Sequence, residues 1–215
     1  MAPRIIFMGD IRKEGQPYWL LNGALSSMEK YVNDFHADLH LFEYCSMQSS
    51  VLAVPSNAFN TWRLVAARDA VMAINHFMKE LIAANDIANQ LPLLIPHLDR
   101  SAMGRARAEF DESFPDYAKA RHAVAHAGEV AKNADAFEQN SFSGTYKGEA
   151  FHIENGQILI QDALQGRTYT STLDKKIVLT ELSEKSLQKL HSVKNLFYAA
   201  FQKIPSPLTQ PVPAS

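Results

Sequence analysis

Residues 21–42 read LNGALSSMEKYVNDFHADLHLF, and the spacing of their apolar positions decides the fold class. Leu21, Leu25, Met28, Val32, Phe35, Leu39 and Phe42 recur at intervals of 4-3-4-3-4-3. That rhythm keeps all seven on one stripe of an α-helix, whereas a strand would alternate faces with period two. Pro17 precedes the stripe, and near a helix start its missing N–H is tolerated. Three heptads suffice for a coiled coil, but the chain carries other helices of the same kind, so an intramolecular bundle is the expectation.

Working outward, the loop SSVLAVPSN leads into a second helical run. Its stripe is Phe59, Trp62, Ala66, Ala70, Ala73, Phe77, Leu81, Ala84 and Ala88, with Ser56 or Asn57 as N-cap and Pro92 and Pro96 as the stop. The alanines predict close helix–helix approach. From Asp99 to about Ala136 the chain is again helical in character. Pro115 divides it, because a proline inside a helix costs about 3 kcal/mol, and Ser113 or Asp116 would start the second piece. A last helix begins at Ser183, with Glu184 placed for the helix dipole and Leu190, Val193, Phe197, Phe201 and Ile204 as its buried stripe. Trp19 and Trp62 both fall in apolar helical stretches and are expected in the core.

The glycines and prolines are unevenly placed. Of nine glycines, Gly144, Gly148, Gly156 and Gly166 fall close together, and of ten prolines, Pro205, Pro207, Pro211 and Pro213 lie in the tail. The glycine-rich part is β-prone. EAFHIENGQILIQ alternates around Asn155-Gly156, a strong hairpin signal, and GRTYTSTLDKKIVLTEL supplies two more runs separated near Asp174. Three or four short antiparallel strands are predicted, packed against helices because so small a sheet is not stable alone. The expected architecture is mainly α: an antiparallel four- or five-helix bundle in one domain over 1–204. A small antiparallel β-sheet is inserted at about 148–182, before the last helix, and a flexible Pro-rich tail covers 205–215.

Composition narrows the function classes. The chain has 215 residues, 47% hydrophobic and 20% charged, with a net charge of −2. That is globular rather than disordered, and it lacks the basic excess of a broad nucleic-acid or membrane-surface binder. A local basic cleft remains compatible with it. The lone Cys45 gives no disulfide framework and fits a reducing compartment. No apolar run reaches the ~20 residues of a membrane helix, and the N-terminus has no long apolar stretch, so neither a membrane span nor a signal peptide is expected. The predicted location is cytoplasmic.

The chemistry-bearing stretch is ARHAVAHAGE, residues 120–129. On a continuous helix His122, His126 and Glu129 share a face, and the long side chain of Arg121 can reach round to it. A permanent cation, a titrating imidazole and a carboxylate within two turns suit a phosphodiester. Arg grips non-bridging oxygens bidentately, and His moves protons near neutral pH.

The R-polar-x-x-x-H pattern of Arg121, His122 and His126 resembles the signature of the HEPN superfamily. NTWRLVAARDAVMAINHF and GRTYTSTLDKKIVLTELSEKSLQKLHSV also resemble segments of uncharacterised bacterial proteins of this kind. Many HEPN proteins are metal-independent endoribonucleases, some of toxin–antitoxin or defence type, that dimerise so that two motif helices form one basic cleft. Others are inactive binding or assembly modules. The resemblance implies an RNA substrate, a homodimer, an antitoxin or other protein partner, and no cofactor or metal. Arg121 would bind the scissile phosphate, His126 would transfer protons, and His122 would shape the site. The β insert, the longer N-terminal region and the lack of a nuclease partner domain depart from the simplest members. The competing class is a non-catalytic HEPN-like interaction module.

A third reading takes His122, His126 and Glu129 as helical metal ligands, completed by Asp69 and His76 from the second helix. Against it, Asp69 and His76 could simply satisfy one another. Arg68 and Asp69, inside an otherwise Ala/Val/Met-rich helix, are expected to be paired, because an unpaired buried charge is costly. In the functional variant of that expectation, Asp69 would brace the motif by accepting from Arg121 or His126. Arg100, Arg105 and Arg107 share their segment with Glu109, Asp111 and Glu112 and read as a solvated mixed-charge face.

Overall fold

The computed structural model describes residues 2–5, 11–48, 56–129, 132–148, 151–204 and 209–210. In chain order the elements are β1 (Arg4–Ile5), α1 (Ile11–Gln48), α2 (Ser56–Ala88), α3 (Arg100–Ser113), α4 (Tyr117–Ala125), α5 (Ala134–Asn140), β2 (Phe142–Lys147), β3 (His152–Ile158), β4 (Ala163–Gln165), β5 (Thr168–Leu173), β6 (Lys176–Glu181), α6 (Glu184–Ala199) and β7 (Thr209–Gln210). The protein is mainly helical, with small antiparallel sheets. At 1.5 Å per residue, α1 is about 57 Å long and α2 about 50 Å.

All seven residues of the 21–42 stripe are buried, as are Leu190, Val193, Phe197, Phe201 and Ile204 at the other end of the chain. On α2 every predicted stripe residue is buried except Trp62, which is 50% exposed; Trp19 is 63% exposed. Neither tryptophan belongs to the core. Trp62 lies at the margin of its stripe and meets Phe59 edge-on, with ring centroids 5.6 Å apart. These are the chain's two tryptophans, so the folded protein should emit like solvated indole, be quenched readily by iodide, and shift little on unfolding. A blue-shifted, unquenched native spectrum would contradict this placement.

The chain forms two compact units, and α1 and α2 contribute residues to both. The first comprises residues 1–34, 76–115 and 187–215. Phe77 of α2 stacks on Phe110 of α3 at 5.9 Å. The Tyr198 hydroxyl of α6 donates to the Leu25 carbonyl of α1 at 2.7 Å, and burial pushes its ionisation well above the usual phenol range. Lys194, buried on α6, keeps its charge partnered by donating to Glu29 Oε1 at 2.8 Å, as a lysine removed from water requires. Asp99 caps α3 by accepting from the Ala102 N–H, and the Ser101 hydroxyl, followed by that N–H, holds its carboxyl below the usual range. The pair β1–β7 is antiparallel, so two residues of the Pro-rich tail are tied to the N-terminal strand. The rest of that tail and the 49–55 loop lie outside the described residues.

The second unit comprises residues 35–75 and 116–186. Its strands form a β2–β3 ladder and a β4–β5–β6 sheet, antiparallel throughout. Among the described residues the strand region begins at Phe142 rather than at about 148 and holds five strands rather than three or four. Between β5 and β6, Asp174 and Lys175 both take positive φ (49° and 61°), the two-residue reversal that matches strand twist. Asn155-Gly156 is not a hairpin turn. It lies inside β3, where Asn155 (φ 48°) sits at a register shift opposite Thr145, whose Oγ1 accepts from the Asn155 N–H at 3.3 Å. Asparagine tolerates the left-handed region in a bulge as readily as in a turn.

Other local differences have plain causes. Pro17 falls inside α1, because that helix starts at Ile11. Asp116 takes the N-cap position of α4, but its side chain makes no capping bond. The run expected to be helical to Ala136 breaks after Ala125 and resumes at Ala134, where Asn133 caps by accepting from the Ala136 N–H.

Candidate functional site

Helix α4 packs on β5 and β6, burying Ala120 and Ala123 and leaving Ala118, His122 and Ala125 exposed. Arg121 and His122 lie on this helix, His126 is its C-cap, and Glu129 stands beyond it. The one-helix geometry is therefore corrected: His126 and Glu129 are not on a continuous helix with His122. The three still converge, because the backbone keeps coiling past the end. The His126 N–H donates to the His122 carbonyl at 3.0 Å, and the Glu129 N–H donates to that of His126 at 2.8 Å. Gln161 holds this turn from the sheet side by donating to the Ala127 carbonyl at 3.1 Å, which satisfies an oxygen that a helix end leaves open.

The His122 and His126 rings lie 4.5 Å apart between centroids, inclined by 36°. His126 Nδ1 faces Glu129 Oε2 at 3.4 Å. His122 and Glu129 are exposed and His126 is partly exposed, so this edge is open to a solute. Two imidazoles, one facing a carboxylate, can form a proton-transfer constellation: the carboxylate lies on the Nδ1 side and leaves Nε2 to exchange protons.

Arg121 is half-buried. Its Nε is inaccessible and has no hydrogen-bond partner among the described residues. No ion pair ties it to Glu129 or Asp116; Asp116 instead faces Lys119 at 4.0 Å. Among the described residues its guanidinium is thus neither consumed by a salt bridge nor in hydrogen-bond contact with the imidazoles.

The supporting residues fall elsewhere. Arg68 does not pair with Asp69. It reaches Asp162 Oδ2 at 2.9 Å, and Asp69 is exposed, with no bond to Arg121 or His126. His76 belongs to the first unit, where its ring stacks on Tyr31 at 5.2 Å. Among the described residues no group of three or more His, Cys, Asp or Glu side chains is placed to hold a metal ion. His122, His126, Glu129, Asp69 and His76 therefore do not assemble into one.

The most consolidated polar network lies beside the motif helix. Asp162, at φ 48°, accepts from the Tyr169 hydroxyl at 2.6 Å and pairs with Arg68. Tyr169 is fully buried, and that burial, followed by the bond to Asp162, drives its ionisation far above the usual phenol range. The adjoining Ile160 is fixed by Thr172, whose Oγ1 accepts from the Ile160 N–H at 2.9 Å. Asp162→Ala removes the acceptor of the buried Tyr169 hydroxyl, at about 1–3 kcal/mol, and puts alanine at positive φ, at about 1–2 kcal/mol. Arg68 is over one-third exposed, so solvent offsets most of its loss. The expected destabilisation is about 2–4 kcal/mol in urea, halved in Asp162→Asn, which keeps an acceptor oxygen and tolerates the turn. Wild-type stability in Asp162→Ala would contradict the network. Sequence offered no signal for Asp162: Tyr169 is seven residues on, across the β4–β5 turn, and Arg68 is far along the chain.

No family model matches this chain, and no curated protein or solved structure is significantly similar to it. Among the described residues, no helix is long and apolar enough to cross a membrane.

Proposed function

We propose that the chain is a HEPN-like, metal-independent endoribonuclease of toxin or defence type, working through Arg121, His122 and His126 at the end of α4. In this reading the helices form an antiparallel bundle, and the sheets are an insert before the last of them. The observation that supports it is the open juxtaposition of two imidazoles with Glu129 behind one of them. The ribose 2′-hydroxyl attacks the adjacent phosphorus and its proton passes to an imidazole. The P–O5′ bond breaks, and the leaving oxygen takes a proton from the second imidazole or from water. Arg121 stabilises charge on the non-bridging oxygens. With a net charge of −2, positive potential must be concentrated locally, which is the physical case for a homodimer with two motifs in one cleft. An antitoxin partner and a cytoplasmic setting belong to the same proposal.

The second reading, a non-catalytic interaction module, is favoured by the exposed Leu41, Tyr44, Met47, Trp62 and Val65 of the second unit, large apolar side chains of the kind that anchor interfaces. Cleavage of single-stranded RNA in EDTA separates the two. The nuclease predicts cleavage by the wild type and a loss of about 10²–10³-fold in Arg121→Ala. RNA left intact by the wild type would leave the interaction module.

A further inference from the structure

Away from the α4 cluster, another pair of metal-ligating side chains is held together. His36 and His40 stand one turn apart inside α1, both exposed. Their ring centroids are 4.3 Å apart and the planes are inclined by 50°. Among the described residues their nitrogens have no hydrogen-bond or ion-pair partner. The rings face water as free ligands on a regular helix, so their spacing is set by backbone geometry and not by a competing bond.

Chelation needs little rearrangement. An ion bound by two imidazoles at about 2.1 Å requires its two nitrogens about 3 Å apart. Rings at this centroid separation reach that by side-chain rotation alone, and their mutual tilt lets each turn a nitrogen edge toward a common point. We propose that His36 and His40 form a two-imidazole site for a borderline transition-metal ion such as Zn²⁺, Ni²⁺ or Cu²⁺, with water in the remaining positions. Nitrogen donors select this class over Mg²⁺ and Ca²⁺, which take oxygen ligands. Among the described residues no third protein ligand is placed to close the site, so the bound ion would stay open to an external donor. His122 and His126 have similar ring spacing, but Glu129 engages His126 Nδ1 there, so that pair must be removed to isolate this one.

The test is calorimetric titration of NiCl₂ into the full-length His122→Ala protein. The expected result is one equivalent bound, with the dissociation constant raised at least tenfold by further His36→Ala or His40→Gln and unchanged by His152→Ala. Circular dichroism should show an unaltered fold, because both imidazoles are exposed. Failure of the His122→Ala protein to bind, or binding that survives loss of both His36 and His40, overturns the proposal.

Discussion

Phe35→Ala should lower the unfolding free energy by about 3–5 kcal/mol, while Leu41→Ala, on the same helix, should change it by no more than about 0.5 kcal/mol. Phe35 is fully buried on α1, and Leu41 is 41% exposed. Removing the phenyl ring forfeits its transfer free energy and leaves a cavity that a close-packed interior fills only in part. The same truncation at Leu41 removes a side chain that water already touches. Urea denaturation of the two variants measures the difference, and the helix spacing of residues 21–42 is what assigns them opposite fates. Equal destabilisation would mean that the stripe does not define the buried face of α1.

Periodic burial was the legible part of this sequence. The stripes of α1 and α6 lie inside as spaced, because a helix must put its apolar residues on one side wherever its partners come from. The β5–β6 reversal was legible too, since Asp174 and Lys175 follow a β-prone run and precede another. What failed was decided across the chain. Asn155-Gly156 can serve a turn or a bulge, and only pairing with β2, opposite Thr145, selects the bulge. Trp62 satisfies the helical spacing yet sits at the edge of its stripe, where period alone does not separate core from surface.

The candidate site divides along the same line. The proximity of His122, His126 and Glu129 followed from local coiling and survived even though the helix ends early. That ending was not legible: an alanine-rich run favours continuation, and the carbonyl it frees is satisfied by Gln161 from outside the motif. Arg68 carried a correct expectation of pairing but a wrong partner, because Asp69 is adjacent in sequence and Asp162 is adjacent in space. His36 and His40 show the converse: an H-x-x-x-H spacing on a helix carries no chemistry by itself, and only the exposure and closeness of both rings in the fold give it one.

His126 carries the largest functional expectation. As a half-exposed imidazole oriented by Glu129 and flanked by His122, it would exchange a proton with the reacting 2′-hydroxyl or the leaving oxygen, and general acid–base catalysis of this kind contributes about 10²–10⁴-fold. Its removal leaves α4 intact, because the residue is the C-cap and its backbone makes the closing bond. The most direct measurement is the single-turnover rate of RNA cleavage in EDTA by the wild type and His126→Ala, with the products analysed for 2′,3′-cyclic phosphate ends. Cyclic phosphate formed by the wild type, and formed about 10²–10⁴-fold more slowly by the variant, is the predicted result. Equal rates in the two proteins, or no cleavage by the wild type, would contradict the account.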